Sequence, residues 1–188
     1  MHTPVDRMIP PAALSAGKNP PDEVNVVIEI SKGSNIKYEV DPETGALFVD
    51  RILSTSMSYP CNYGFIPKTK EDDGDAVDVF VLANDPVVLT SVIRCRPVGV
   101  LLTEDQGGKD CKIIAVPLAK ADPNFSDVTD LNSIPEHTLS QLKHFVEHHK
   151  ELEQGKYVKI EGSEGKEVAK NKISEAIAKY NKIEINNY

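Results

Sequence analysis

Residues 71–78 read Glu-Asp-Asp-Gly-Asp-Ala-Val-Asp, five carboxylates in eight positions at the mouth of a β-type run. Acids packed this closely repel one another unless cations neutralise them. Hard oxygen donors at this density suit Mg²⁺ or Ca²⁺. The D-x-D-x-x-D spacing is not the ligand ladder of an EF-hand, and taken alone the segment also reads as an acidic solvated turn. A second acidic segment runs from Glu104 to Lys112, with Asp105 and Asp110 flanking Gly107-Gly108. By itself it is a plain β-hairpin loop. Cations at Lys37, Arg51, Lys112 and Lys150 and the phenols of Tyr59 and Tyr63 complete the set. Metals, cations and phenols around one cavity are the ingredients of phosphoryl transfer to water. The metals lower the pKa of a bound water, and the cations stabilise charge on the leaving group. No G-x-x-x-x-G-K-[ST], G-x-G-x-x-G or G-x-S-x-G is present, so nucleotide cradling and serine hydrolysis have no support.

The elements that must position these groups are mostly strands. Val24–Ile30 is a β-branched run, Ile36–Val40 alternates with period two, and Ala46–Leu53 follows a Pro/Gly turn. Alternation puts Lys37 and Glu39 on one side of their strand, and puts Arg51 among apolar neighbours on the side of Val49 and Leu53. Tyr59–Pro67 has no period and reads as an ordered loop. Further β-type runs are Val77–Ala83, Ser91–Leu102, Cys111–Val116 and Tyr157–Ile160. Two amphipathic helices follow the 3.6 period, at Pro135–Glu153 (Leu139, Leu142, Phe145, Val146, Leu152) and Lys166–Tyr180. Residues 1–23, rich in Pro and small residues, read as an irregular arm. The layout is α+β and mainly β, a barrel or strongly bent sheet with helices packed outside, in a single domain over residues 1–188.

The chain carries 21 Lys and Arg against 29 Asp and Glu, a net charge of −8. That disfavours sequence-independent nucleic-acid binding and anionic membrane surfaces. No apolar stretch approaches a bilayer span, and the start lacks the apolar core of a secretory signal. Cys61, Cys95 and Cys111 are odd in number and widely spaced, which argues against a disulfide framework or zinc site and predicts reduced thiols in the cytosol.

Val26–Ile30, Ile36–Glu39, Gly45–Arg51 (GALFVDR), Tyr59–Gly64 (YPCNYG), Asp73–Asp78 (DGDAVD) and Ser91–Leu101 together resemble the bacterial-type soluble family I inorganic pyrophosphatases. The resemblance spans about Val24 to Gly162. It implies a five-stranded OB-like β-barrel flanked by two C-terminal helices, hydrolysing pyrophosphate to two phosphates with several Mg²⁺ per site, in a cytoplasmic homohexamer. It places metal ligands at Asp73, Asp78, Asp105 and Asp110, with Asp78 bridging two metals, and the proton acceptor at Asp75. Phosphate ligands fall on Lys37, Arg51, Tyr63 and Lys150 with Lys112 nearby, while Glu29, Glu39 and Tyr59 are secondary cavity residues. The resemblance also turns Lys37 and Glu39 inward.

Four positions depart from the pattern: Ala76 replaces Pro, Gln106 replaces an acid, the turn between Glu29 and Lys37 is one residue shorter, and His149 replaces a phosphate-binding Tyr. Helical period puts His149 on the inward stripe, where it is either a packed core histidine or a substrate contact. As a contact, phosphate would favour the imidazolium, predicting substrate binding that weakens as pH climbs through a raised pKa. Two rival readings are a metal-dependent phosphatase acting on an organic phosphoanhydride with the same residues, and a non-enzymatic OB-type binding module. The second lacks the basic, aromatic groove it would need.

Overall fold

The computed structural model describes residues 13–186. Eight strands form: β1 (Val24–Ile30), β2 (Ile36–Val40), β3 (Leu47–Ile52), β4 (Asn62–Phe65), β5 (Asp78–Val81), β6 (Val92–Asp105), β7 (Gly108–Pro117) and β8 (Val158–Gly165). Helix α1 covers Glu136–His148 and α2 covers Lys166–Asn186. Strands pair in the order β1-β4-β5-β7-β6, and β6 returns to β1, so five strands close a ring. The 14 residues of β6 serve two partners: Val92–Cys95 pair with β1 and Gly99–Asp105 with β8. A register shift at Pro97–Gly99 separates the halves, where proline has no N–H to give the ladder. The ring closes past β4 because Gly64 has no side chain. A Cβ there would stand 1.8 Å from the Val27 carbonyl oxygen.

Alternate residues of the ring feed two cores. One gathers Phe80, Ile114 and Val116 with Leu142, Phe145 and Val146 of α1. The other gathers Val79, Val81, Ile113 and Ala115 with Ala169, Ile173 and Ala176 of α2. Period two therefore aligns Asp78 with Phe80, and Asp110 and Lys112 with Ile114, on the α1 side. Strands β2 and β3 form a separate hairpin.

The barrel and two helices match the sequence expectation, with local differences. Tyr59–Pro67 is not wholly loop, since Asn62–Phe65 is β4. Four residues carrying two aromatics and a glycine show no countable period. Helix α1 ends at His148, not Glu153, and Leu152 is 68% exposed on the following turn rather than on the buried stripe. Helix α2 continues past Tyr180 to Asn186. The Glu104–Lys112 loop is mostly strand, with only Gln106-Gly107 turning. Val49 is 61% exposed, so Arg51 does not share an apolar inward face with it. Of the arm expected over residues 1–23, residues 1–12 lie outside the described residues, and residues 13–23 are irregular apart from a turn at 20–22 closed by a bridge between Asn19 and Glu23. Cys61, Cys95 and Cys111 are buried free thiols.

Candidate active site

One cavity of about 690 Å³ on the α1 side takes in every sequence-predicted site residue except Arg51. Each wall is set by local structure. Glu29 sits where the register of β1 against β4 shifts between Ile28 and Ile30. The bulge re-aims its side chain, which accepts the Val40 N–H at 2.7 Å. Burial pushes its pKa up to about 8, with Asp78 and Glu39 adding to the rise. Register pairs Tyr63 with Phe80 and Asp78 with Lys112 across β4, β5 and β7. Tyr63 packs edge-on against Phe80, and Tyr59 packs between Tyr63 and Phe145. Burial raises both phenols above their ordinary range, so they remain O–H donors.

The acidic segment hangs from a staple that the sequence reading missed. Thr69 is 4% exposed. Its hydroxyl donates to the Ile66 carbonyl at 2.6 Å and accepts the Val77 N–H at 2.9 Å. Those two residues also share the Ile66 N–H to Val77 carbonyl bond, so both ends of the loop are tied. Within it the Glu71 N–H donates to the Asp75 carbonyl, and Gly74 turns at φ +97°, a left-handed conformation that suits glycine. The Asp75 N–H donates to Asp73 at 2.9 Å. Burial, then the charges of Asp73 and Asp78, raise the Asp75 carboxyl. Only a hydroxyl residue two positions after Pro67 marks Thr69 in the sequence, a turn signal too common to single out.

Cations already sit on the carboxylates. Lys112 Nζ lies 2.8 Å from Asp78 and 3.0 Å from Asp110. Burial alone would lower its pKa, but these acids and Tyr63 hold it well above the usual lysine value. Lys150 Nζ lies 3.2 Å from Asp105. Burial would raise the Asp105 carboxyl, and the Gly107 N–H and Lys150 outweigh it and hold it low. Lys37 pairs with Glu39 and with Asp50, the latter at 3.3 Å. Arg51 lies outside the cavity lining, between Asp50 and Glu153, at 3.2 and 3.0 Å.

His149 caps α1 and stacks on Phe145 at 4.8 Å, 7% exposed. Its Nδ1 lies 3.0 Å from both the Phe145 and Val146 carbonyl oxygens. Carbonyls only accept, so Nδ1 carries the proton. Burial, together with Lys150 and Lys112, pushes its pKa down to about 4. In the free site the ring is therefore neutral at pH 7, as a packed core histidine would be, while the expected imidazolium concerns the phosphate-bound site.

The donor set fits a hard divalent cation: Asp73, Asp78, Asp105 and Asp110 converge on one cavity, and two ammonium groups stand in for positive charge. Among the described residues no three such side chains are already gathered tightly enough to grip a metal. The carboxylates line one cavity, where Lys112 neutralises Asp78 and Asp110 and Lys150 neutralises Asp105.

A profile of the family described as inorganic pyrophosphatase matches residues 26–181. The inorganic pyrophosphatase of Sulfolobus acidocaldarius is 56% identical over 164 residues, covering 87% of this chain and 95% of that protein. That of Aquifex pyrophilus is 53% identical over 169 residues, covering 90% and 96%. The solved Helicobacter pylori inorganic pyrophosphatase superposes with a TM-score of 0.87 at 48% identity, covering 90% of this chain and 99% of that one.

Proposed function

The chain belongs to the soluble family I inorganic pyrophosphatases and hydrolyses pyrophosphate to two phosphates with a divalent metal, and from that premise we propose how its residues divide the work. The observation that carries the proposal is the convergence of aspartates, lysines and phenols on one cavity. Asp73, Asp78, Asp105 and Asp110 would hold Mg²⁺, with Asp78 at the centre of the donor set beside Lys112. Bound there, Mg²⁺ supplies charge neutralisation of phosphate oxygens and acidification of water.

Asp75 accepts the proton of the attacking water. Its place between two ligand aspartates and its raised carboxyl pKa support that role. Lys37, Arg51, Lys112 and Lys150 bind phosphoryl oxygens. Lys112 and Lys150 neutralise aspartates in the metal-free chain and bind phosphate during turnover. Tyr63 donates its O–H to phosphate, and Tyr59 braces Tyr63. Glu29 and Glu39 hold water at the cavity wall. His149 faces substrate as a neutral ring whose remaining nitrogen can accept a hydrogen bond. Pyrophosphate is therefore the substrate, in a cytoplasmic homohexamer. The buried free thiols support the compartment, and the hexamer is carried by family resemblance. No helix among the described residues is long and apolar enough to cross a membrane.

Phosphate release from pyrophosphate and from a nucleoside triphosphate, with Mg²⁺ as sole metal, separates this reading from a phosphatase of organic anhydrides. Preference for pyrophosphate is expected. Asp75→Asn should lower kcat about 10²–10⁴-fold while Mg²⁺ binding, followed by calorimetry, is largely kept. Turnover within a few fold of the parent across pH would remove Asp75 from its role. Asp78→Asn should weaken Mg²⁺ binding itself.

A further inference from the structure

We propose that Glu153 is a positioning residue for Arg51, holding its guanidinium beside the cavity until pyrophosphate takes it. The proposal rests on the reading of Arg51 as a phosphate ligand. Arg51 projects from β3 of the separate hairpin, while Glu153 sits on the turn after α1. The same turn delivers Lys150, since the Glu153 N–H donates to the Lys150 carbonyl at 2.9 Å. Arg51 Nε lies 3.0 Å from Glu153 Oε1, with the two side chains 23% and 14% exposed. The contact thus ties the open hairpin to the turn that carries a second substrate cation.

The contact is close but poorly aligned. Arg51 Nε and Glu153 Oε1 are both shielded from solvent, and neither makes a hydrogen bond. Charge holds the pair, and a buried N–H is left unmet, a state that costs free energy. An arriving phosphoryl oxygen offers that guanidinium directional acceptors, and no hydrogen bond to Glu153 need break. Glu153 stays anchored meanwhile, because Lys156 Nζ lies 2.7 Å from its other oxygen. Burial would raise the Glu153 carboxyl, but Lys156, Arg51 and Lys150 hold it low, so it is ionised at neutral pH. Without this carboxylate only Asp50, 3.2 Å from the other end of the guanidinium, still holds Arg51, so the long side chain regains part of its rotamer freedom and must lose it again on binding substrate. The effect therefore falls on KM.

The test is a double-mutant cycle of Glu153→Gln and Arg51→Ala, with KM and kcat for Mg-pyrophosphate and melting temperature measured for each. Glu153→Gln should raise KM about tenfold with kcat within a few fold. In the Arg51→Ala background the same change should leave KM unaltered. Glu153→Asp, which keeps the charge, should give an intermediate KM and serves if Glu153→Gln folds poorly. A KM that is unchanged or lowered in Glu153→Gln, or a tenfold rise that persists without Arg51, overturns the positioning role alone. An unaltered KM in Arg51→Ala removes the phosphate-ligand reading, and the positioning role with it.

Discussion

The Lys112 ammonium stands 2.8 Å from the Asp78 carboxylate, on parallel neighbouring strands whose residues 78 and 112 are direct register partners. The pairing is thus built by the β5–β7 ladder rather than by flexible reach. Removing the lysine leaves Asp78 and Asp110 facing each other with no neutralising charge when metal is absent. Lys112→Met should lower the metal-free stability by about 2 kcal/mol, below the figure for a wholly buried pair because Asp78 is 29% exposed. For a chain of this size that is roughly 4–8 °C in melting temperature. Mg²⁺ should then raise the variant's melting temperature more than the parent's. Equal Mg²⁺ shifts in the two proteins would show that lysine and metal do not serve the same carboxylates.

Thr69 allows a sharper probe of the acidic loop. Thr69→Val keeps the shape and removes the hydroxyl, so the buried Val77 N–H and one lone pair of the Ile66 carbonyl lose their partner. The expected loss is about 1–3 kcal/mol of stability, with weaker Mg²⁺ binding by calorimetry because Asp73 and Asp75 ride on the loosened segment. Thr69→Ser keeps both hydrogen bonds and should bind Mg²⁺ like the parent. If valine lowers stability but leaves Mg²⁺ affinity untouched, the staple holds the fold and not the ligands.

These two cases also mark what could be read from the chain. The aspartate block and the aromatic segment were legible as chemistry because residue types cluster locally. That Asp78 meets Lys112 was not, since it depends on the register of strands 34 residues apart in the chain. The family resemblance implies the five-stranded barrel, yet β4 itself is not legible because four residues with a glycine give no periodic signal. The end of α1 is not legible because Leu152 continues the apolar spacing while the chain has already turned. Glu153 carried no signal at all, its role arising only where that turn meets the β2–β3 hairpin.

Stability should depend on pH through Glu29. Its carboxyl releases a proton near pH 4.5 when unfolded and near 8 when folded, chiefly because of burial. Between those values the folded chain holds a proton that the unfolded chain has lost, so the metal-free protein loses stability as pH rises through this window. The contribution is on the order of a few kcal/mol. Glu29→Gln retains an acceptor for the Val40 N–H and cannot ionise. In chelator, the variant and parent should melt alike near pH 5, and the variant should melt higher at pH 8–9. Parallel melting curves over the whole range would place the Glu29 titration elsewhere.

His149 should leave the pH response of the cavity near neutrality untouched. With Nδ1–H committed to two carbonyls and burial holding the ring's pKa near 4, the free site presents a neutral ring from pH 5 upward. Because the folded pKa is depressed below 6.5, the stability that the neutral ring contributes is present above pH 6.5 and is lost as pH falls through 4. No change in its charge is then expected between pH 6 and 8, so KM for Mg-pyrophosphate at fixed free Mg²⁺ should lack a His149 inflection there. His149→Tyr replaces an acceptor by a phenol that donates throughout this range, and an aromatic ring at the position can still pack on Phe145. Its KM should lie a few fold lower, on a curve parallel to the parent's. The decisive observation is the shape of the two curves. An inflection near neutrality in the parent that vanishes in His149→Tyr would mean that bound phosphate overcomes burial and lifts the imidazole back into the titrating range, converting it from acceptor to cationic donor in the complex.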